Sequence, residues 1–310
     1  MLSLSLRTPL IFSSAFEKIL KCKVWLKMEC YQPTGSFKAR GIGHLAQYEV
    51  HSGKKRLVAS SGGNAGLAVA YAAHCLGVSA SVVVPEATGV RARELMTAFN
   101  AEVLVHGASW QEAHEYAQTL LDADSAYIHP FDHPLIWAGH ARMVEEIAED
   151  LSSVPSAFVL SVGGGGLLSG VCEGMARVGW NDIPILAIET EGAASFAAAR
   201  EAGKLVMLDK ITSVATTLGA KRVALSALEW TKKHPIENIT VSDCHAVESC
   251  YRFLDDHRVL VEPACGAALS PLYDSHKFFS QCEQVVVIVC GGAGITLDAL
   301  HNYRHQCGYI

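Results

Sequence analysis

A chain of 310 residues, half of them hydrophobic and 18% charged, is long enough for two packed domains or for one domain carrying an insertion. Its net charge of −6, with no basic run denser than Lys54-Lys55-Arg56, speaks against nucleic acid as the main partner. The sequence has no uncharged apolar run of the roughly 18 residues that a membrane span needs, so no membrane partner is expected.

The opening stretch to Arg7 is short, and Thr8-Pro9-Leu10 already reads as part of the fold, so no targeting segment is expected. An apolar run at 24–28 predicts a strand, and Pro33-Thr34-Gly35-Ser36-Phe37-Lys38 follows it. A lysine between a tight turn and a helix start, flanked by Phe37, is placed to lose its solvent and act as a reactive amine toward an aldehyde. Strands are then predicted over Arg56–Ser60, Ser79–Val84 and 101–105, with helices over 65–76, 91–98 and 109–121 between and after them. A longer helix at Pro134–Asp150 and strands at 157–162, 185–189 and 284–289 complete the pattern.

Continuous Val/Ile/Leu runs rather than strict alternation point to parallel strands covered on both faces, an α/β doubly wound architecture. Four strand–helix units fall between residues 41 and 131. We therefore expect a small domain there, inserted into a large one made of 1–40 and 132–310. In such sheets ligands bind beyond the carboxyl ends of the strands. Ten scattered cysteines, with no Cys-x-x-Cys pair, weaken a zinc or thioredoxin-like site and predict mostly buried thiols in a reducing, cytoplasmic setting.

Three strand ends carry glycine turns. Gly163-Gly164-Gly165-Gly166 opens the helix at Leu167, and its bare backbone amides offer a nest for a phosphate. The dinucleotide fingerprint fails here, because its third glycine would fall at Ser169, and no Walker lysine follows. Ser60-Ser61-Gly62-Gly63-Asn64-Ala65-Gly66 offers hydroxyls, an amide and free N–H groups suited to a small carboxylate or a ring hydroxyl; a plain N-cap is the bland alternative. Val289-Cys290-Gly291-Gly292 would end its strand with a thiol able to face a heteroaromatic nitrogen, or simply packed.

A lysine, a phosphate nest, a carboxylate-sized loop and a polar corner together describe a pyridoxal phosphate site. With Pro130-Phe131-Asp132-His133-Pro134-Leu135-Ile136-Trp137 and Val261-Glu262-Pro263-Ala264-Cys265-Gly266 in the same order, the chain resembles the serine/threonine dehydratase family of fold-type II pyridoxal-phosphate enzymes over nearly its whole length. It is most similar to the short animal-type L-serine dehydratases. The resemblance implies a tryptophan synthase β-like fold of two doubly wound open parallel-sheet domains, and elimination of ammonia from L-serine and L-threonine.

It also implies roles. Lys38 would carry the cofactor and move the substrate proton, with Phe37 against the ring. Gly163, Gly164, Gly165 and Gly166 would hold the phosphate, Asn64 the ring 3′-hydroxyl and Cys290 the ring nitrogen. Ser61, Gly62, Asn64 and Ala65 would receive the substrate carboxylate. A monovalent cation such as potassium would lie near Glu189, Ala193, Ser195, Leu218 and Ala220. Glu189 alone reads equally as a ribose-site acid or a buried ion-pair partner. A homodimer is implied by analogy.

Two positions depart from the family pattern: Gly62 stands where many members have alanine, and Thr217 where close relatives carry a small alanine beside the ring. A serine racemase-like enzyme and a weakly active cofactor-binding homologue are the rival readings; the failed fingerprint disfavours a nicotinamide oxidoreductase. The chain ends soon after the helix that follows Cys290, so the isoleucine control of longer biosynthetic threonine deaminases is not expected.

Overall fold

The computed structural model describes residues 4–308. In chain order the elements are β1 (Leu10–Phe12), α1 (Ser14–Leu20), β2 (Lys23–Lys27), α2 (Lys38–His51), β3 (Arg56–Ser60), α3 (Asn64–Leu76), β4 (Ser79–Val84), α4 (Val90–Thr97), β5 (Glu102–Val105), α5 (Trp110–Thr119), β6 (Ser125–Tyr127) and α6 (Pro134–Asp150). There follow β7 (Ala157–Ser161), α7 (Gly166–Arg177), β8 (Ile185–Thr190), α8 (Ser195–Ala202), α9 (Leu225–Trp230), β9 (Ile236–Val241), α10 (Asp243–His257), α11 (Pro263–Tyr273), β10 (Gln284–Ile288) and α12 (Leu297–Gln306).

The described chain divides into two compact units, 4–6 with 31–140 and 7–30 with 141–308. The first contains residues 4–6, 31–40 and 132–140, which the sequence pattern places in the larger domain. Helix α2, which begins at Lys38, packs against α3.

The first unit holds a four-stranded parallel sheet in the order β5-β4-β3-β6. Val58 and Val83 cluster with Ala113 and Ala117 of α5. Val82 points to the other face, as alternation requires, and lies against Gly66 of α3. Helices thus cover both faces, which is why these strands read as unbroken apolar runs. Leu4 is buried and lies against Gly43, and Leu6 exchanges two 2.9 Å hydrogen bonds with the Gln32 side chain. Residues 4–6 therefore belong to the fold, while the first three residues of the stretch weighed as a presequence lie outside the described ones.

The second unit holds a six-stranded sheet in the order β1-β2-β10-β7-β8-β9. Strands β7, β8 and β10 are buried throughout. Helix α11, apolar on all sides, packs on all three and on α10, and a Cβ at Gly266 would sit 2.1 Å from the Ala246 carbonyl oxygen. Two strands of this sheet were not foreseen. β1 pairs antiparallel with β2 at one edge, so the sheet is not wholly parallel, and β9 forms the other edge beside β8. Both carry exposed positions, which breaks the continuous apolar signal.

One expectation about the cysteines is corrected. Cys244 and Cys307 form a disulfide with Cα atoms 5.4 Å apart, tying the start of α10 to the residue after α12. Sixty-three positions separate them in sequence, so only the return of α12 onto α10 brings them together. Five of the eight free thiols are buried.

Candidate active site

In the first unit, chemistry gathers at the carboxyl ends of β3 and β6, which are neighbours in the sheet. The end of β3 is pinned: Trp110 Nε1 donates to the Ser60 carbonyl at 2.6 Å, and the Ser60 hydroxyl lies 2.7 Å from that of Tyr127. The chain then turns through Ser61, Gly62 and Gly63 into α3. Gly66 makes that turn possible, since a Cβ there would lie 2.0 Å from the Ser61 carbonyl oxygen. Ser61 and Gly62 are half-buried, Asn64 and Ala65 buried.

Lys38 opens α2 and reaches the end of β6, where Nζ donates to the Pro130 carbonyl at 2.6 Å. It also lies 5.2 Å over the Phe37 ring. Two glycines let this helix approach the start of α6. A Cβ on Gly41 would meet the Ile136 carbonyl oxygen at 2.6 Å and His140 Nε2 at 2.7 Å, and one on Gly139 would meet the Arg40 carbonyl oxygen at 2.7 Å.

Two imidazoles near Lys38, those of His129 and His140, are held neutral. Burial, then the Lys38 charge, pushes His129 down to about 4. Its Nδ1 accepts from the Phe131 and Asp132 amides, which leaves the ring proton on Nε2. His140 is fully buried and likewise held well below its ordinary value, by desolvation and then by Lys38 and Arg40. Its ring packs 4.9 Å from that of Phe37.

In the second unit the adjacent parallel strands β7 and β10 end side by side. After β7 comes the tetraglycine turn. Gly165 adopts φ +85°, and a Cβ on it would strike Ala227 Cβ at 2.6 Å. One on Gly163 would lie 2.9 Å from Leu218 Cα. The Gly164 carbonyl accepts from the Ala224 amide at 3.0 Å. The turn delivers the amides of the first turn of α7, which lack intrahelical acceptors, together with the positive end of a twelve-residue helix.

After β10, Cys290 is buried, with Sγ 3.6 Å from the Ser161 hydroxyl. A hydrogen bond with Cys265, then burial, drives its pKa well above the usual thiol value, so it is a neutral thiol. Thr217, exposed on the neighbouring loop, donates to Glu262 Oε1 at 2.6 Å.

Glu189, one residue before the end of β8, is fully buried. Its carboxylate accepts from the Phe196 and Ala197 amides at 2.8 Å each and from Asn238 Nδ2 at 3.3 Å. Burial nonetheless pushes it up to about 7, against those hydrogen bonds. The Ser195 hydroxyl beside it is buried without a partner. Ala193 and Leu218 are buried, and the Leu218 carbonyl accepts from the Ala220 amide at 2.7 Å. Through the two amide contacts Glu189 caps the start of α8.

Lys38, Phe37, Ser61, Gly62, Asn64 and Ala65 thus belong to the first unit. The tetraglycine turn, Cys290, Glu189, Ala193, Ser195, Leu218 and Ala220 belong to the second. Sequence reasoning did not single out the Pro130 carbonyl, His129, His140, Asn238 or the Thr217–Glu262 bond. Pro130 lay in a quoted motif; the others depend on contacts between segments distant in sequence.

A family described as pyridoxal-phosphate dependent enzymes matches residues 2–291. The chain belongs to that family. It is 47% identical over 316 residues to the mouse protein named L-serine dehydratase/L-threonine deaminase, covering 99% of this chain and 97% of the relative. To the human protein named serine dehydratase-like it is also 47% identical, with 98% and 95% covered. Its fold matches the crystal structure of a fungal L-serine ammonia-lyase from Rhizomucor miehei with a TM-score of 0.95 at 38% identity, over 98% of this chain and 99% of that one.

The residues present fit pyridoxal phosphate. The chain offers a held amine at Lys38, a glycine turn in which a Cβ on Gly163 or Gly165 would strike the protein packed around it, and a neutral thiol at the end of the adjacent strand. Among the described residues no cluster of three or more metal-ligating side chains occurs, and no helix is long and apolar enough to cross a membrane.

Proposed function

We propose that this chain is a pyridoxal-phosphate dependent L-serine dehydratase, converting L-serine to pyruvate and ammonia and L-threonine to 2-oxobutanoate by α,β-elimination. The observation that carries this reading is the amine of Lys38, fixed on the Pro130 carbonyl at 2.6 Å at the strand ends that also carry the 61–65 loop. It stands in a chain 47% identical, end to end, to a protein named for that reaction.

The cofactor, when bound, supplies the electron sink that makes an amino-acid Cα–H acidic. Lys38 would hold it through Nζ and would later carry the substrate's Cα proton on the same atom. The Pro130 carbonyl orients that nitrogen, and neutral His129 and His140 add no competing charge. The amides from Gly163 to Gly166 would hold the phosphate, Phe37 would flank the ring, and Asn64 would meet its 3′-hydroxyl. The loop of Ser61, Gly62, Asn64 and Ala65 would receive the substrate carboxylate. Cys290 would face the ring nitrogen as a neutral thiol. A thiol does not stabilise a protonated pyridine as a carboxylate would, which supports elimination over racemisation or transamination.

The same proposal includes a monovalent cation, potassium, held by Glu189, Ser195 and the oxygens of Ala193, Leu218 and Ala220. The buried, unpartnered Ser195 hydroxyl and the desolvated Glu189 carboxylate support it. Replacing potassium by a bulky organic cation should lower the melting temperature; an unchanged melting curve removes the cation from the proposal. Homodimeric assembly rests on analogy within the family, and a cytoplasmic setting on the buried free thiols. Light scattering and cell fractionation test the two.

Purified protein should be yellow, and L-serine should yield pyruvate. Lys38→Ala should lose both the cofactor absorbance and turnover. A Lys38→Ala variant that still makes pyruvate overturns the assignment, and D-serine as the main product from L-serine assigns a racemase instead.

A further inference from the structure

Gly62 stands in the loop of the first unit where the resemblance leads us to expect alanine, and the structure shows what occupies the space of the missing methyl. Strands β3 and β4 are parallel neighbours, with Ser60 opposite Val83, so the turns leaving them lie side by side. The turn after β4 is closed by a 2.9 Å hydrogen bond from the Thr88 amide to the Pro85 carbonyl. It runs through Gly89 into α4. A Cβ built on Gly62 would lie 2.4 Å from Thr88 Oγ1, 2.7 Å from Thr88 Cγ2 and 3.1 Å from Thr88 Cβ. Real Cβ contacts are not that short, so the branched tip of Thr88 already occupies the volume that a methyl at position 62 would need. Thr88 is half-buried, and the contact is with a side chain rather than with backbone, unlike that of Gly66 in the same loop.

Resting on the reading of 61–65 as the carboxylate loop, we propose that Thr88 is a positioning residue for substrate binding: its side chain forms the floor of that loop in place of a side chain at position 62. One volume is shared by two positions, and only one of them can fill it. Neither Gly62 nor Thr88 then has an independent effect. Removing the Thr88 side chain leaves the loop unsupported and free to sample other backbone conformations, as a glycine-containing turn does. Adding a methyl at Gly62 while Thr88 remains forces the two turns apart. Making both changes restores one filled volume.

The test is a double-mutant cycle on the cofactor-loaded full chain, with Gly62→Ala, Thr88→Ala and the pair, following pyruvate formation from L-serine and inhibition by glycine, which lacks a leaving group. Each single change should raise KM and the glycine inhibition constant by about tenfold, with kcat within about twofold, because a carboxylate contact is made equally in the ground and transition states. The double variant should return to within about threefold of the parent. Thr88→Ser, which keeps the Oγ but not the methyl, should fall between the parent and Thr88→Ala.

Multiplication of the two effects to about a hundredfold means independent sites and overturns the proposal. An unchanged KM in Thr88→Ala overturns it as well. Melting temperatures of the same four proteins keep this separate from the function assigned above. If the parent makes no pyruvate but Thr88→Ala restores the stability lost in Gly62→Ala, the shared volume stands and the dehydratase reading falls. If the parent turns over serine and the melting effects add, the shared volume falls alone.

Discussion

The glycine turns of the two units look alike in sequence and differ in what surrounds them. In the second unit, Gly163 is closed in by Leu218 backbone atoms and Gly165 by its left-handed conformation and Ala227. In the first, Gly66 is closed in by a backbone carbonyl, whereas the three atoms nearest a Cβ on Gly62 all belong to the Thr88 side chain. A glycine pressed against backbone is required by the fold. A glycine pressed against a flexible side chain is one half of a pair, and the pair can be rebuilt. The distinction follows from neighbours, not from the glycine itself.

The largest expected effect tests the rigid side of this contrast. Gly165→Ala demands a strained φ and displaces α9, so cofactor retention after gel filtration should fall by about a hundredfold, the equivalent of about 3 kcal/mol. Gly163→Ala should act in the same direction, read as a higher dissociation constant in a cofactor titration. An alanine at either position that retains cofactor like the parent would show that the nest is as adjustable as the 62 position. Next comes Gly66→Ala, where a Cβ would stand 2.0 Å from the Ser61 carbonyl oxygen and 2.9 Å from Val82 Cγ1. Urea unfolding should show a loss of about 2–3 kcal/mol, with no partner substitution able to restore it.

Much of this was readable beforehand. Lys38, the three glycine turns and the parallel strands that carry them all leave local marks: a turn before a lysine, glycines at strand ends, unbroken apolar runs. The edge strands β1 and β9 left none, because a strand exposed on one side is neither continuously apolar nor long. The Cys244–Cys307 bridge and the Thr88 contact with Gly62 are products of tertiary return, invisible to any spacing argument. The sequence marked Gly62 as a departure from the family; only the neighbouring turn shows how the departure is accommodated.

The two regions also differ in their response to pH. The tetraglycine nest is built of amides and does not titrate. The first unit surrounds Lys38 with buried neutral imidazoles. His129 binds its proton at about 4 in the folded chain, against 6.5 as the ordinary value, so below pH 6.5 the unfolded state takes up a proton that the folded state refuses. Its contribution to stability is therefore intact above pH 6.5 and is lost as pH falls toward 4. Allowing for solvent reaching part of the ring, that loss is about 1–2 kcal/mol. Unfolding of the parent and of His129→Gln at pH 7 and pH 5 should show the smaller acid loss in the variant. Equal losses would mean that His129 keeps an ordinary affinity for its proton.

The smallest effect belongs to Thr217, a side chain beside a nest otherwise made of backbone. Its hydroxyl is held at 2.6 Å by the Glu262 carboxylate, which is itself buried and lies where a Cβ on Gly292 would be. Thr217→Ala removes a donor to a charged acceptor, a change of about 1–2 kcal/mol. Because Glu262 stands close enough to Cys290 to help raise its pKa, loosening the carboxylate should move the absorbance maximum of the bound cofactor while leaving its dissociation constant within about threefold, or under 1 kcal/mol. Thr217→Ser, which keeps the hydroxyl, should leave the spectrum as in the parent. A spectrum unmoved by Thr217→Ala would mean that Thr217, unlike Thr88, has no counterpart whose position it sets. The two threonines would then differ in kind: one is half of a rebuilt contact, and the other is a side chain the loop simply tolerates.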